Sequence, residues 1–424
     1  MCRVLSFRGF ISHFVVLAVA CGFVSVRATN SVADETSSPS RALYHVDPEH
    51  LWNRLHESLF VREGPDGRTY GRDRLEPLLW SKSKHLLEEM SHKRAMAALN
   101  EFLRNNGETL IDDPLKRAVL QRDLWMVFNW LDGTHWDFAE PKLTPNEAAD
   151  ANARMRGPLA GVIGRLALSP HEIRDLPDNY AAAVVSGQFA KGFDSKKHDQ
   201  AYLPPDLFAT DGPWACVGRT DGRTAPQHLR EENPFSNSVF LVFVRLPAGR
   251  AAVAEFLKER PAFPKGTELA LVRRAMLIDT SYRVVPSNMT ESVQIRVIRD
   301  TRAAEVQSEF RLSHMQLFAG RAGGLRPSAN DDKAFKTGFL AHTWDEFEYR
   351  SSFRAFPESG LQPMLRCSVC HIAPRAEFQS SGGSSRTPAQ FPLSEMPISD
   401  VAAAAIKWRE AQPNGISLRR LLEN

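Results

Sequence analysis

Val239-Phe240-Leu241-Val242-Phe243-Val244-Arg245-Leu246 is an apolar run of strand length that stops at Pro247. Its β-branched and aromatic residues suit a pleated surface buried on both sides. Outward from it the same character returns from Leu269 to Asp279, interrupted by Arg273 and Arg274. In Val293, Ile295 and Val297 the apolar residues alternate with Gln294 and Arg296, the period of a half-buried strand, and Phe310-Arg311-Leu312 continues it. Residues 251–258, between the first two runs, read as a short helix. These runs predict a β-rich middle domain over residues 206–350, an antiparallel or mixed sheet with one or two helices.

Upstream the period changes to that of helices, and residues 46–205 read as one bundle-like helical region. Asp113-Pro114 is a cap followed by proline at the first helical position, and Leu120, Leu124, Val127, Phe128 and Leu131 recur on one face before Gly133. Ser169-Pro170-His171-Glu172 opens another helix with Glu172 placed to complete a capping box. Trp125 and Trp130 are assigned to the core. Downstream, residues 351–424 form a small segment with a Ser/Gly-rich stretch, Gln379 to Thr387, and a closing helix from Ser399 to Glu410. The expected class is therefore α+β: a helical N-terminal region, a β-rich middle and a small helical C-terminal segment.

The first residues are set apart by function. Arg3 and Arg8 precede an apolar run from Phe14 to Val26 that closes on Val26-Arg27-Ala28, so residues 1–28 read as a secretory signal followed by a flexible linker, 29–45. The run holds about 13 apolar residues where a spanning helix needs about 20, which leaves no transmembrane segment once the signal is cleaved. Ala20-Cys21 offers the alternative of a lipid anchor at Cys21. The chain has 424 residues, 43% of them apolar, and a formal charge of +3 that falls to zero when the three signal arginines leave. Neutrality and the lack of long single-sign runs argue against nucleic acid or anionic lipid as the main partner.

Five cysteines are present, two of them inside the signal, which leaves Cys216, Cys367 and Cys370. An odd, small set is not a disulfide scaffold, so the close pair needs a local explanation. Arg366-Cys367-Ser368-Val369-Cys370-His371 has the C-x-x-C-H spacing of covalent haem attachment. On a helical turn two cysteines three apart share a face, where both sulfurs reach one edge of a porphyrin, and His371 stays on that face to stand beneath the iron. The alternative is a small disulfide or thiol pair in a haem-free secreted binding or structural protein. No βαβ unit precedes the pair, as a thioredoxin-like motif would want, and no second Cys/His pair completes a zinc site.

The tail resembles the c-type cytochromes, in which the attachment motif is followed by a loop that offers a methionine before a final helix. Met396-Pro397 before the Val401–Glu410 helix is similar to that loop. The resemblance implies thioethers at Cys367 and Cys370, His371 as proximal iron ligand, Met396 as distal ligand and one covalent haem c. It covers about 60 residues, and it departs from the family in the short interval of 25 residues from His371 to Met396 and in Ile372 where many members have glycine. Met364, His342 and His314 are rivals for the sixth position, and an open position is the other outcome. Electron transfer to an unidentified redox partner, or redox or ligand sensing, is the expected use, in the periplasm or outside the cell. Cys216 is expected to be a buried thiol, and His50 and His56, six apart, cannot chelate one metal from a single helix. His342 to Glu348 gathers an imidazole and three carboxylates without a clear partner. Hydrolase, nucleotide-loop and H-E-x-x-H signals are absent from the sequence.

Overall fold

The computed structural model describes residues 42–63, 69–73, 86–87, 89–131, 145–197, 200–219, 237–259, 263–298, 306–327 and 393–423. The predicted strands are present. The quoted run is β4 (Ser238–Arg245), the arginine-interrupted run is β5 (Glu268–Ile278), and the alternating one lies in β6 (Val284–Val297). With β3 (Ala215–Arg219), β7 (Val306–Leu312), β8 (Leu325–Pro327) and β9 (Leu393–Glu395) they form a seven-stranded antiparallel sheet in the order β8-β7-β6-β5-β4-β3-β9. A separate two-stranded ribbon joins β1 (Arg62–Glu63) to β2 (Thr69–Tyr70). The class is α+β.

Among the described residues the α-helices are α1 (Leu51–Phe60), α2 (Glu89–Arg104), α3 (Pro114–Leu131), α4 (Pro145–Arg165), α5 (Pro170–Asp175), α6 (Asn179–Val185), α7 (Val253–Glu259), α8 (His314–Phe318), α9 (Ile398–Glu410) and α10 (Pro413–Glu423). The starts of α3 and α5 follow the predicted chemistry. The Asp113 carboxylate accepts from Lys116 N at 3.1 Å, and Ser169 and Glu172 close the reciprocal capping box of α5. The one-faced pattern expected of α3 is not what forms: every residue from Ala118 to Leu131 is buried, including Gln121, Arg122, Asp123 and Asn129. α3 is therefore a central helix rather than a surface one. Trp125 and Trp130 are buried as expected.

β6 also differs from its sequence pattern, because Gln294 and Arg296 are as buried as their apolar neighbours. Cross-strand register explains the difference. Residues that pair directly across an antiparallel ladder share a face, so Val217, Val242, Leu271, Gln294 and Glu309 make one row across β3 to β7. The row is apolar on β3, β4 and β5 and turns polar on β6 and β7. α7 covers the apolar half, packing Val253 and Leu257 on Ala215, Val217 and Val244. The opposite face carries Leu241, Phe243, Val272, Ile295 and Phe310 into the main core, where Phe189 and Phe208 stand edge-on to Phe310 and Phe243. That core draws on residues from Tyr44 to Leu418, so the N-terminal helices, the sheet and the C-terminal helices share one interior. Each of its large side chains contributes about 1.5–3 kcal/mol relative to exposure.

Carboxamides fasten helices to the long β5–β6 hairpin. Gln121 of α3 accepts from Ile278 N at 3.0 Å and donates to Ile278 O at 2.8 Å. Asn179 at the start of α6 accepts from Thr290 N at 2.6 Å and donates to Thr290 O and Gly323 O at 2.9 and 3.0 Å. Thr290 lies where the β5–β6 register slips, between Arg273 and Met276, so a side chain supplies partners where the ladder is irregular.

Candidate functional site

Cys367, Cys370 and His371 lie outside the described residues, as do Met364, His342 and the cluster from His342 to Glu348. What the fold does define is the two ends of the stretch that carries them. β8 ends at Pro327 on one edge of the sheet and β9 begins at Leu393 on the other, so residues 328–392 connect opposite edges. Six inter-strand spacings of about 4.8 Å separate those edges, roughly 29 Å.

The β9 end is firmly built. Arg250 donates Nε to Glu395 at 2.9 Å and Nη1 to the carbonyls of Thr210, Gly212 and Trp214 at 2.6, 3.1 and 3.1 Å. Met396 follows directly. Its N–H donates to the Cys216 carbonyl at 2.9 Å, and its half-buried side chain packs against the main core just before α9. Cys216 is a buried free thiol, as expected, and burial, with the Glu395 carboxylate as a smaller influence, pushes it up to about 12. It is therefore a protonated, unreactive thiol at neutral pH. Two cysteines can form thioether links to a porphyrin, and an imidazole and a methionine sulfur can ligate its iron, so the residue types fit the group.

His314, a rival ligand, is the first residue of α8 and is buried, its Nδ1 3.7 Å from Asp123 Oδ2. It belongs to a buried polar network that sequence reading missed. Arg122 donates Nη1 to Asp123 at 2.9 Å and pairs with Glu291, which also forms an ion pair with Arg273, Nε to Oε2 3.1 Å, and accepts from the Ser238 hydroxyl. Burial opposes the charge on Arg122, but Glu291 and Asp123 outweigh it and hold the guanidinium above its usual pKa. Gln121-Arg122-Asp123 between the apolar stretches Ala118–Leu120 and Leu124–Phe128 was the available signal; its partners on β4, β5 and β6 are more than 100 residues away.

Among the described residues no three His, Cys, Asp or Glu side chains converge as a metal site, and no helix is long and apolar enough to cross a membrane. No protein-family model matches the chain, and no curated protein or solved structure is similar to it.

Proposed function

We propose that this chain is an exported protein that carries one covalently attached haem c, held by Cys367 and Cys370 with His371 on the iron. The observation that carries the reading is the Cys367-x-x-Cys370-His371 spacing, followed by a methionine and a closing helix. When bound, the haem supplies a one-electron redox centre. The chain's own contribution is to fix the group through two sulfurs, to orient His371, and to exclude or admit a sixth ligand.

The mature protein, made in cells with a cytochrome c maturation system, is expected to have the intact mass of the chain from Thr29 plus one haem after denaturation. Its pyridine haemochrome spectrum is expected to be that of two thioether links. A denatured mass without haem, with Cys367 and Cys370 joined as a disulfide, would favour the haem-free secreted protein.

Met396 is the proposed sixth ligand, which assigns the haem to electron transfer. Met396→Ala is then expected to abolish the weak far-red band of a thioether bound to ferric iron and to lower the reduction potential. An unchanged spectrum removes Met396 from the iron and turns the reading toward ligand binding at an open position.

A further inference from the structure

Residues 42–60 contain three histidines, of which two accept a hydrogen bond through a ring nitrogen and the third is buried without a partner at Nε2 among the described residues. His45 Nδ1 accepts from Asp47 N at 3.1 Å, and His50 Nδ1 caps α1 by accepting from Trp52 N at 3.3 Å. The two rings stack with centroids 4.3 Å apart. His56 is buried, edge-on to Tyr44 with centroids 5.6 Å apart, and its Nε2 has no hydrogen-bond partner among the described residues. Tyr44 Oη and Asp123 Oδ2, also fully buried, are likewise without one. The rest of the segment is tightly held: Asn53 accepts from Tyr44 N at 2.8 Å and donates to the carbonyls of His45 and Asp47 at 2.7 and 2.6 Å.

From this arrangement we infer that residues 42–60 form an acid-loosened latch, closed on α2, α3 and α8 while His50 and His56 are neutral and loosened when they take up protons. The charged groups around it set the direction. Lys116 of α3 donates Nζ to Tyr44 O at 2.8 Å, Glu101 of α2 pairs with Arg54, and Asp47 and Glu49 lie at the surface of the segment itself. Asp123 of α3 faces His314 of α8 rather than His56. Among the described residues, a proton on His56 meets the His314 imidazole, the Tyr44 phenol and the Phe60 ring rather than a carboxylate. Protonation of His50 removes the acceptor at the start of α1, and burial, His45, Arg54 and Lys116 oppose the new charge more than Asp47 favours it.

Linkage gives the window. Burial first, and His314 second, lower His56 to about 3 in the closed state, against about 6.5 when exposed. Because the closed-state pKa is depressed, the open state binds the extra proton between those values, and closure weakens as pH falls through that window. His56 alone raises the opening equilibrium roughly 70-fold between pH 7 and pH 4.5.

Hydrogen exchange of the mature chain, read by mass spectrometry and corrected for intrinsic rates, tests the latch. Amides of residues 42–60 are expected to lose protection on the order of 70-fold at pH 4.5 relative to pH 7 while α4 and β5 keep theirs. His56→Gln is expected to remove most of that loss, and His50→Asn, which restores a cap independent of pH, to remove part of it. Equal loss across α4 and β5, or a full acid response in His56→Gln, overturns the latch. If His56→Gln does not fold, ¹⁵N-imidazole spectra of the wild-type chain decide. A His56 ring still neutral in the closed state at pH 4.5 supports the latch, and one that titrates near its exposed value overturns it.

Discussion

Arg122→Met is expected to lower the unfolding free energy by about 3–5 kcal/mol, the range for breaking a buried ion pair from one side. The guanidinium serves Asp123 and Glu291 at once, and all three side chains are nearly inaccessible to water. Glu291 keeps Arg273 and Ser238 after the substitution, so the larger penalty falls on Asp123, left with the 3.7 Å approach of His314. Arg122→Lys keeps a charge but has one nitrogen where two carboxylates need separate donors, and it is expected to lose part of the same amount. Urea unfolding followed by circular dichroism measures both. A loss under about 1 kcal/mol for Arg122→Met, the value of an exposed pair, would show that the network is solvated.

Gly323→Ala is the second substitution with a large expected effect, about 2–5 kcal/mol. Gly323 has φ +60°, and a Cβ there would stand 1.8 Å from the Asn179 carbonyl oxygen and 3.0 Å from Ala183 N. The left-handed conformation contributes about 1–2 kcal/mol for alanine and overpacking about 1–3 more. The obstacle is backbone at the start of α6, which cannot turn aside as a side chain does, and moving it loosens the Asn179 contacts to Thr290. Gly187→Ala is the control. It has φ +69° with nothing within 4 Å of the new Cβ, so it isolates the conformational part. Equal thermal shifts for the two substitutions would mean that close approach at Gly323 is unimportant.

Both effects lie where the sequence was hard to read, and for one reason. Val239 to Leu246, Asp113-Pro114 and Ser169-x-x-Glu172 declare their structure within ten residues, so β4 and the caps of α3 and α5 were legible. Arg273 interrupts a strand, and Arg122 sits within a buried helix; their meaning depends on Glu291 and Asp123, partners that local pattern does not reveal. The same limit hid β8 and β9, three residues each, which exist because longer strands offer them an edge. α10, which brings Leu418 into the main core, went unread because its apolar positions are few and the helix is short. At the candidate site the legible part was the chemistry of five consecutive residues, Cys367 to His371. The environment of Met396 was not, because it depends on Cys216, 180 residues earlier, and on the Arg250–Glu395 pair.

The connection between the sheet edges also governs when the chain can finish folding. β9, α9 and α10 come from the last 32 residues, yet Val401, Ala405 and Leu418 are core members and the Arg409 guanidinium lies 5.6 Å from the Trp125 ring centre. β9 pairing with β3 and the burial of α9 and α10 hold those residues to the rest of the fold. Until those residues have been synthesised, the core lacks the side chains of Val401, Ala405 and Leu418. Cys367 and Cys370 precede them, and so become available to chemistry while the native interior is still incomplete.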